Sequence, residues 1–131
     1  MFSHIKTSIK NKEIVAVLSR KLNLGAENVI ARIAYTYSLS KNIRLELSEI
    51  EDSRGKEYTK YVLFGDYYNF YIALLCNTYQ ISKTDKNIPK YIKMHIDNGL
   101  ELISEELKTN PNLTGFDYLI DKISDGLKDI Q

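Results

Sequence analysis

The sequence predicts a mainly α fold, a compact single domain of about five helices with a short extended or hairpin segment. Three observations support this class. Apolar residues recur at spacings of three and four along most of the chain, which is the period of an amphipathic helix. The length of 131 residues suits one domain with a core of its own. No repeat or Ser/Pro/Gly-rich linker divides the chain, so residues 1–131 are assigned to one domain.

Two helices are predicted after an extended segment at residues 2–7. Asn11 is the expected N-cap of the first helix, because its side chain can accept a hydrogen bond from a free backbone N–H. This helix ends near residues 23–25, and the second begins around Gly25. The apolar face of the first carries Ile14, Val17, Leu18 and Leu22. That of the second carries Val29, Ile30, Ile33, Ala34 and Tyr37, with Arg32 one step to the side.

The stretch after the second helix is less regular. The segment "IRLEL" alternates apolar and polar side chains, which predicts a short strand. The segment "DSRGKEY" is rich in turn residues and charges, which predicts an exposed loop.

Three more helices are predicted in the second half. The segment "GDYYNFYIALLCNTYQI" is apolar on nearly every side, and such a helix belongs at the centre of a domain. Asn87 and Pro89 indicate the start of the next helix, which extends to about Lys108. Thr114 and Asp117 resemble a capping box that opens the last helix. The residues expected to face inward are Tyr91, Ile92, His95, Ile96, Leu100, Ile103 and Leu107 in the former, and Phe116, Leu119, Ile120, Ile123, Leu127 and Ile130 in the latter.

The residues that could carry catalysis are few. His95 lies on an apolar stripe, which favours a buried, hydrogen-bonded histidine. Cys76 lies on the all-apolar helix, where a thiol usually acts as a small hydrophobe with a raised pKa. The glycines are too scattered for a phosphate-binding loop, and Glu46, Glu49, Glu51 and Asp52 are more typical of a solvated turn than of a metal site. We therefore expect no enzyme, no metal and no cofactor, although nicking of DNA stays open.

Location and charge narrow the function further. The start "MFSHIKTSIKNK" lacks the apolar core of a secretion signal, and no stretch is long enough to span a membrane, so a cytoplasmic protein away from membranes is expected. Residues 1–60 contain 11 Lys and Arg against 7 Asp and Glu, whereas residues 100–131 contain 3 against 7. A basic front can bind phosphates while an acidic tail meets a basic protein. A further basic group lies at the start of the fourth helix: Lys83, Lys86, Lys90 and Lys93.

Three segments resemble one known family. "RKLNLGAENVIARIAYTYSLS", "GKEYTKYVLFGDYYNFYIALLCNTY" and "IPKYIKMHIDNGLELI" are similar, in order and spacing, to the DndE family of bacterial DNA sulfur modification systems. The resemblance covers residues from about 5 to 106 and implies a helical, non-catalytic subunit that binds DNA, preferably nicked duplex, within a complex that replaces a backbone phosphate oxygen by sulfur. It implies no catalytic residues. Because lysines are the family's proposed DNA contacts, the candidates here are Lys10, Lys12, Arg20, Lys21, Arg32, Arg54, Lys56 and Lys60.

Several alternatives stay open at this point. Arg32 could anchor a phosphate or a partner carboxylate, or could form an internal salt bridge. The chain could be a small ribbon-helix-helix-like transcription regulator, which would read a palindromic site, or a protein adaptor within the sulfur-modification complex. The expected partners are nicked double-stranded DNA and other subunits of that complex. A homo-oligomer is also expected, because joining several basic faces multiplies weak DNA affinity.

Overall fold

The computed structural model describes residues 2–111 and 114–129, apart from the side chains of Phe116 and Asp129. These residues form β1 (His4–Lys6), α1 (Ile9–Leu22), α2 (Glu27–Ser40), β2 (Glu57–Thr59), α3 (Lys60–Phe64), α4 (Tyr68–Tyr79), α5 (Ile88–Thr109) and α6 (Gly115–Asp129). Because α3 is little more than one turn, this part of the chain has five full helices and one small antiparallel sheet, which confirms the predicted fold class. None of the helices described is long and apolar enough to cross a membrane.

Helix α5 forms the centre of the domain. Asn87 and Pro89 open it as predicted, and its whole circumference is buried over most of the stretch from Ile92 to Leu100. It packs mainly on α2, and the two backbones approach closely because Gly99 has no side chain. A Cβ added at Gly99 would lie 1.9 Å from the carbonyl oxygen of Ala34.

The prediction that the tyrosine-rich helix lies at the centre is wrong. Helix α4 buries only one side, through Ile72, Leu75 and Tyr79, and Phe70 on another side is 60% exposed. Aromatic side chains carry enough apolar area to make a helix read as fully buried, yet they are also common at partly wet surfaces. The sequence did not predict that α5 is buried on all sides, because its buried residues include charged and polar side chains.

The strand is also elsewhere than predicted. Residues 43–46 form no strand, whereas β2 lies inside the segment assigned to an exposed loop and pairs antiparallel with β1. Ile5 faces Tyr58 across the pair, and both are buried. With only three residues each, the strands are too short to show an alternating pattern in the sequence.

Helix α1 ends and helix α2 begins close to the predicted positions, but their details differ. Asn11 is not the N-cap of α1: Ser8 takes that position, and Asn11 is a fully buried residue inside the helix. The helix ends at Leu22 and is capped by Asn23, whose φ of 51° lies in the left-handed region. The buried face of α2 is Ile30, Ala31, Ala34, Tyr35, Ser38 and Leu39. Of the predicted face only Ile30 and Ala34 are buried, while Val29, Ile33 and Tyr37 are partly exposed at its edge.

Helix α6 begins as predicted, since Thr114 Oγ1 accepts a hydrogen bond of 3.1 Å from the Asp117 N–H. Its predicted inward face is partly wrong: Ile120, Ile123 and Leu127 are exposed. The side that contacts the domain carries the buried Tyr118 instead. The predictions for Phe116 and Ile130 fall outside the side chains that the structure describes.

Candidate nucleic-acid interface

His95 belongs to an internal hydrogen-bonded chain, as the sequence indicated. Its Nδ1 lies 2.8 Å from Ser38 Oγ, and its Nε2 lies 2.8 Å from the Tyr79 hydroxyl. Asn98 donates to Ser38 Oγ, and the Leu45 N–H donates to the Tyr79 hydroxyl. If the neutral ring carries its proton on Nε2, the Ser38 hydroxyl donates to Nδ1 and the Tyr79 hydroxyl donates to the Leu45 carbonyl oxygen at 3.4 Å, so each hydroxyl hydrogen has an acceptor. Burial lowers the pKa of His95 to about 4, so the ring is neutral near pH 7.

Lys93, one of the four lysines predicted to form a basic group at the start of α5, is buried in an ion pair. Its Nζ lies 2.6 Å from Asp97 Oδ2, and the two side chains are only 6% and 4% exposed. Asp97 Oδ1 also accepts from the Ser8 N–H and from Asn11 Nδ2. Burial raises the pKa of Asp97, while these three donors act in the opposite direction. The pair therefore ties α5 to the start of α1 and offers no charge to a ligand.

Lys10 faces carboxylates. Its Nζ pairs with Glu51 and lies 2.7 Å from Glu101 Oε1. The hydrogen bonds to Glu101 and then Glu51 raise the pKa of Lys10, so it is charged but neutralised locally. A phosphate would have to compete with two anions at this position. Lys10 is thus a weak DNA contact among the predicted ones.

Arg54 and Lys56 lie in the loop that packs against the start of α1. Arg54 Nε lies 3.7 Å from Asp52 Oδ1, and Lys56 Nζ lies 3.7 Å from Glu27 Oε1. Such distant, solvent-exposed pairs contribute little free energy. Both side chains could therefore exchange their carboxylate for a phosphate, although the nearby anions reduce the positive potential.

The guanidinium group of Arg32 binds backbone carbonyl oxygens. Its Nε donates to the carbonyl oxygen of Leu63 at 2.6 Å, and its terminal nitrogen donates to that of Val62 at 3.3 Å. These carbonyls belong to α3, so Arg32 fastens α3 to α2. The predicted internal partner exists, but it is backbone rather than an acidic residue.

Lys12, Arg20 and Lys21 are exposed, and they form no ion pair within the described part of the chain. At 3.6 residues per turn, Arg20 lies opposite the buried face of α1, and Lys12 and Lys21 lie on its two flanks. Their charges are therefore available over the solvent half of α1. Arg20 and Lys21 are in the last turn, where a positive charge interacts favourably with the helix dipole.

Lys60 belongs to a second basic area. Its Nζ lies 4.0 Å from the centre of the Tyr68 ring. Beside this ring a groove of about 480 Å³ opens between the N-terminal segment, the start of α4 and the loop that precedes α5. The residues that line the groove include Phe2, Tyr68, Lys83, Asp85, Lys86 and Pro89. We call it the Tyr68 groove.

The sequence missed this groove. The sequence indicates a basic group that includes Lys83 and Lys86, but it predicts only an extended segment at Phe2 and a central position for Tyr68. Phe2 and Tyr68 meet, with 5.8 Å between ring centres, only because β1 pairs with β2 just before α3. No local pattern in the sequence reports such a contact.

Other candidates for chemistry are accounted for by the fold. Cys76 on α4 is half-buried, and burial raises the pKa of its thiol. Asp52 accepts from the Ile9 N–H at 2.9 Å, and so it serves the start of α1. In residues 2–111 and 114–129, no group of three or more His, Cys, Asp or Glu side chains could hold a metal ion.

Comparisons with known proteins identify the family. The family model described as DNA sulphur modification protein DndE matches residues 4–111. The crystal structure of DndE from Escherichia coli B7A, involved in DNA phosphorothioation modification, is 16% identical with a TM-score of 0.63, and the alignment covers 79% of this chain and 98% of that one.

A DndE mutant involved in DNA phosphorothioation is 18% identical, with a TM-score of 0.65 and the same coverage. At these identities the two structures show a shared fold only. No curated protein sequence matches the chain. Helix α6 lies beyond the residues matched by the family model. Since that match covers most of the sequence, the chain belongs to the DndE family of DNA sulphur modification proteins.

Proposed function

We propose that this protein is a non-catalytic, DNA-binding subunit of a DNA phosphorothioation complex, with a preference for nicked duplex. The observation that carries the proposal is the family match over residues 4–111, which relates the chain to DNA sulphur modification. The arrangement of the basic side chains supports it. DNA is the substrate of such a modification, so a subunit that holds DNA in place is an expected component.

The basic side chains are suited to contacts with the phosphate backbone. Lys12, Arg20 and Lys21 are spread over the exposed half of one helix rather than grouped in a pocket shaped for a base edge. Contacts of this kind position a protein on DNA without reading its sequence. We therefore expect little sequence preference and a steep dependence of affinity on salt.

A role without catalysis agrees with the positions of the titratable groups. The ring of His95 is closed into an internal hydrogen-bonded chain, and the thiol of Cys76 is half-buried with a raised pKa. Neither is arranged as an activated nucleophile or a general base. The subunit would then serve the chemistry of its partners by presenting DNA to them.

The ribbon-helix-helix alternative has no support in this fold. A protein of that class pairs its strand with a second copy, whereas β1 pairs with β2 of the same chain. The adaptor alternative is supported by the exposed apolar row of α6, Ile120, Ile123 and Leu127, which a partner subunit could cover. DNA binding and partner binding use different surfaces, so the two roles are compatible.

The proposal is tested by measuring the affinity of the purified protein for DNA of one sequence in three forms: intact duplex, nicked duplex and single strand. Fluorescence anisotropy at low salt should show binding, with the nicked duplex bound more tightly than the intact duplex. A second, unrelated sequence should give the same order. Absence of binding to every form would leave only the adaptor role.

The same DNA should be recovered uncut after incubation with Mg²⁺ or Mn²⁺, as judged on a denaturing gel. A product of defined length that disappears with a chelator would replace the non-catalytic role by nicking activity.

A further inference from the structure

We propose that the Tyr68 groove binds an unpaired nucleotide of a DNA strand, with its base against the aromatic rings and its phosphate at Lys83 and Lys86. This inference rests on the proposed function, because it assigns a place to the DNA end that a nick exposes. It adds a site at the other basic area of the molecule, apart from α1.

The aromatic side of the groove is held in place from within the domain. The rings of Phe2 and Tyr68 are 5.8 Å apart at an angle of 50°, and the ring of the buried Phe64 lies 6.3 Å from Tyr68. Ile88 and Pro89 add apolar surface beside them. A nucleobase can stack on such rings whatever its identity, because every base has a π-face.

The other side of the groove is positively charged. Lys83 and Lys86 are exposed and take part in no ion pair that the described residues provide, and Lys60 lies over the Tyr68 ring. Asp85 is the acidic member of the described residues that line the groove, and its Oδ1 accepts the Asn87 N–H at 2.8 Å. Two lysines against one carboxylate leave the lining with a net positive charge, and Lys60 adds a cation beside the Tyr68 ring. This charge suits a phosphate.

The combination of rings and cations selects an unpaired nucleotide over an intact duplex. Inside a duplex each base is already stacked on both faces, whereas a base at a nick or in a gap can turn outward at lower cost. A groove of about 480 Å³ has the size of a small-molecule site and cannot enclose a double helix. The chemistry therefore fits one nucleotide of a loosened strand.

Photo-crosslinking locates the nucleotide directly. A duplex with a one-nucleotide gap, carrying 5-iododeoxyuridine as the unpaired base opposite the gap, is irradiated with the wild-type protein, and the crosslinked peptide is identified by mass spectrometry. The proposal expects attachment at Phe2 or Tyr68. Attachment only to the exposed rings of Tyr61, Tyr67 or Phe70, with DNA still bound, would overturn the groove but leave the proposed function standing.

A pair of double variants provides the energetic test. Lys83→Gln/Lys86→Gln should weaken binding to the gapped DNA about tenfold and change binding to the intact duplex much less. The control, Lys41→Gln/Lys128→Gln, removes the same charge far along the sequence from the groove and should change neither. Equal losses for gapped and intact DNA in the first variant would mean that the lysines act only as general charge. If the wild-type protein bound no form of DNA, the proposed DNA-binding function itself would be contradicted.

Discussion

His95 is a fully buried imidazole, and its environment makes the stability of the domain depend on pH. The pKa of its ring is about 4 in the folded protein and about 6.5 when exposed. Between these values the unfolded chain binds a proton that the folded protein does not. The free energy of unfolding is therefore not reduced by His95 above about pH 6.5, and it decreases as the pH falls towards 4 because protonation favours the unfolded chain.

The expected size of this effect can be measured. Urea denaturation at pH 7 and pH 5 should show a fall of about 2 kcal/mol in the free energy of unfolding that is attributable to His95. A His95→Gln variant, which cannot take up the proton, should lack this part of the fall. Identical pH dependence in the two proteins would show that the ring is charged or solvated in the folded state.

The packing of α2 on α5 depends on the absence of a side chain at Gly99. Since a Cβ there would lie 1.9 Å from the backbone oxygen of Ala34, Gly99→Ala should force the helices apart and lower the free energy of unfolding by about 2 kcal/mol or more. Gly126 on α6 is the matched control, because a Cβ there meets nothing within 4 Å. Gly126→Ala should be neutral or stabilising by up to about 1 kcal/mol in the same thermal or urea denaturation. Equal effects of the two substitutions would contradict the close packing.

One carboxylate, that of Glu106 on α5, links helix α6 to two other helices. Glu106 accepts hydrogen bonds from the hydroxyls of Tyr37 and Tyr118 and pairs with Lys122 at 2.9 Å. Burial acts to raise the pKa of Glu106, but the bonds from Lys122 and the two tyrosines outweigh it and lower the pKa. The carboxylate is thus ionised and joins α2, α5 and α6.

Removing that charge should loosen α6 selectively. Glu106→Gln removes the negative charge that pairs with Lys122 and replaces one acceptor oxygen by an N–H donor, and it should lower the stability of α6 by about 2 kcal/mol. Amide hydrogen exchange should become faster in residues 115–129 and stay unchanged in α5 around residues 92–100. Glu105→Gln is the control, since Glu105 is exposed and, among the described residues, its carboxylate pairs with the exposed Lys108. Uniformly faster exchange across the domain would mean that α6 is an integral part of the core.

The elements show what sequence patterns can and cannot predict. The boundaries of α5 followed from Asn87, Pro89 and the spacing of its apolar residues, because these are local features. Its central position did not follow, since Lys93 and Asp97 look like surface charges until they are known to pair with each other. The short strand β2 was missed for a similar reason: its partner β1 is distant in the chain.

At the scale of the whole molecule, the formal charge of residues 1–60 suggests more basic side chains free to bind DNA than the structure provides. Of the eight predicted DNA contacts, Lys10, Arg54 and Lys56 face carboxylates and Arg32 binds backbone carbonyls. Asp52 is close to Arg54 in the sequence, but Glu27, Glu51 and Glu101 are distant from the lysines with which they pair. A count of charges by segment therefore does not show which charges are paired. Among the described residues, the predicted contacts that form neither an ion pair nor a bond to backbone carbonyls are Lys12, Arg20 and Lys21 on α1, with Lys60 beside the Tyr68 groove. Arg54 and Lys56 would have to exchange a carboxylate for a phosphate.

The central claim is that DNA phosphates bind the unpaired basic residues of α1. It is tested most directly by the slope of log affinity against log salt concentration for nicked duplex. Each phosphate contact contributes about 0.9 to that slope, so Lys12→Gln/Arg20→Gln/Lys21→Gln should reduce it by about 2.7. Lys41→Gln/Lys108→Gln/Lys128→Gln removes the same charge elsewhere and should leave it nearly unchanged. An unchanged slope in the first variant, or an equal reduction in both, would contradict the claim.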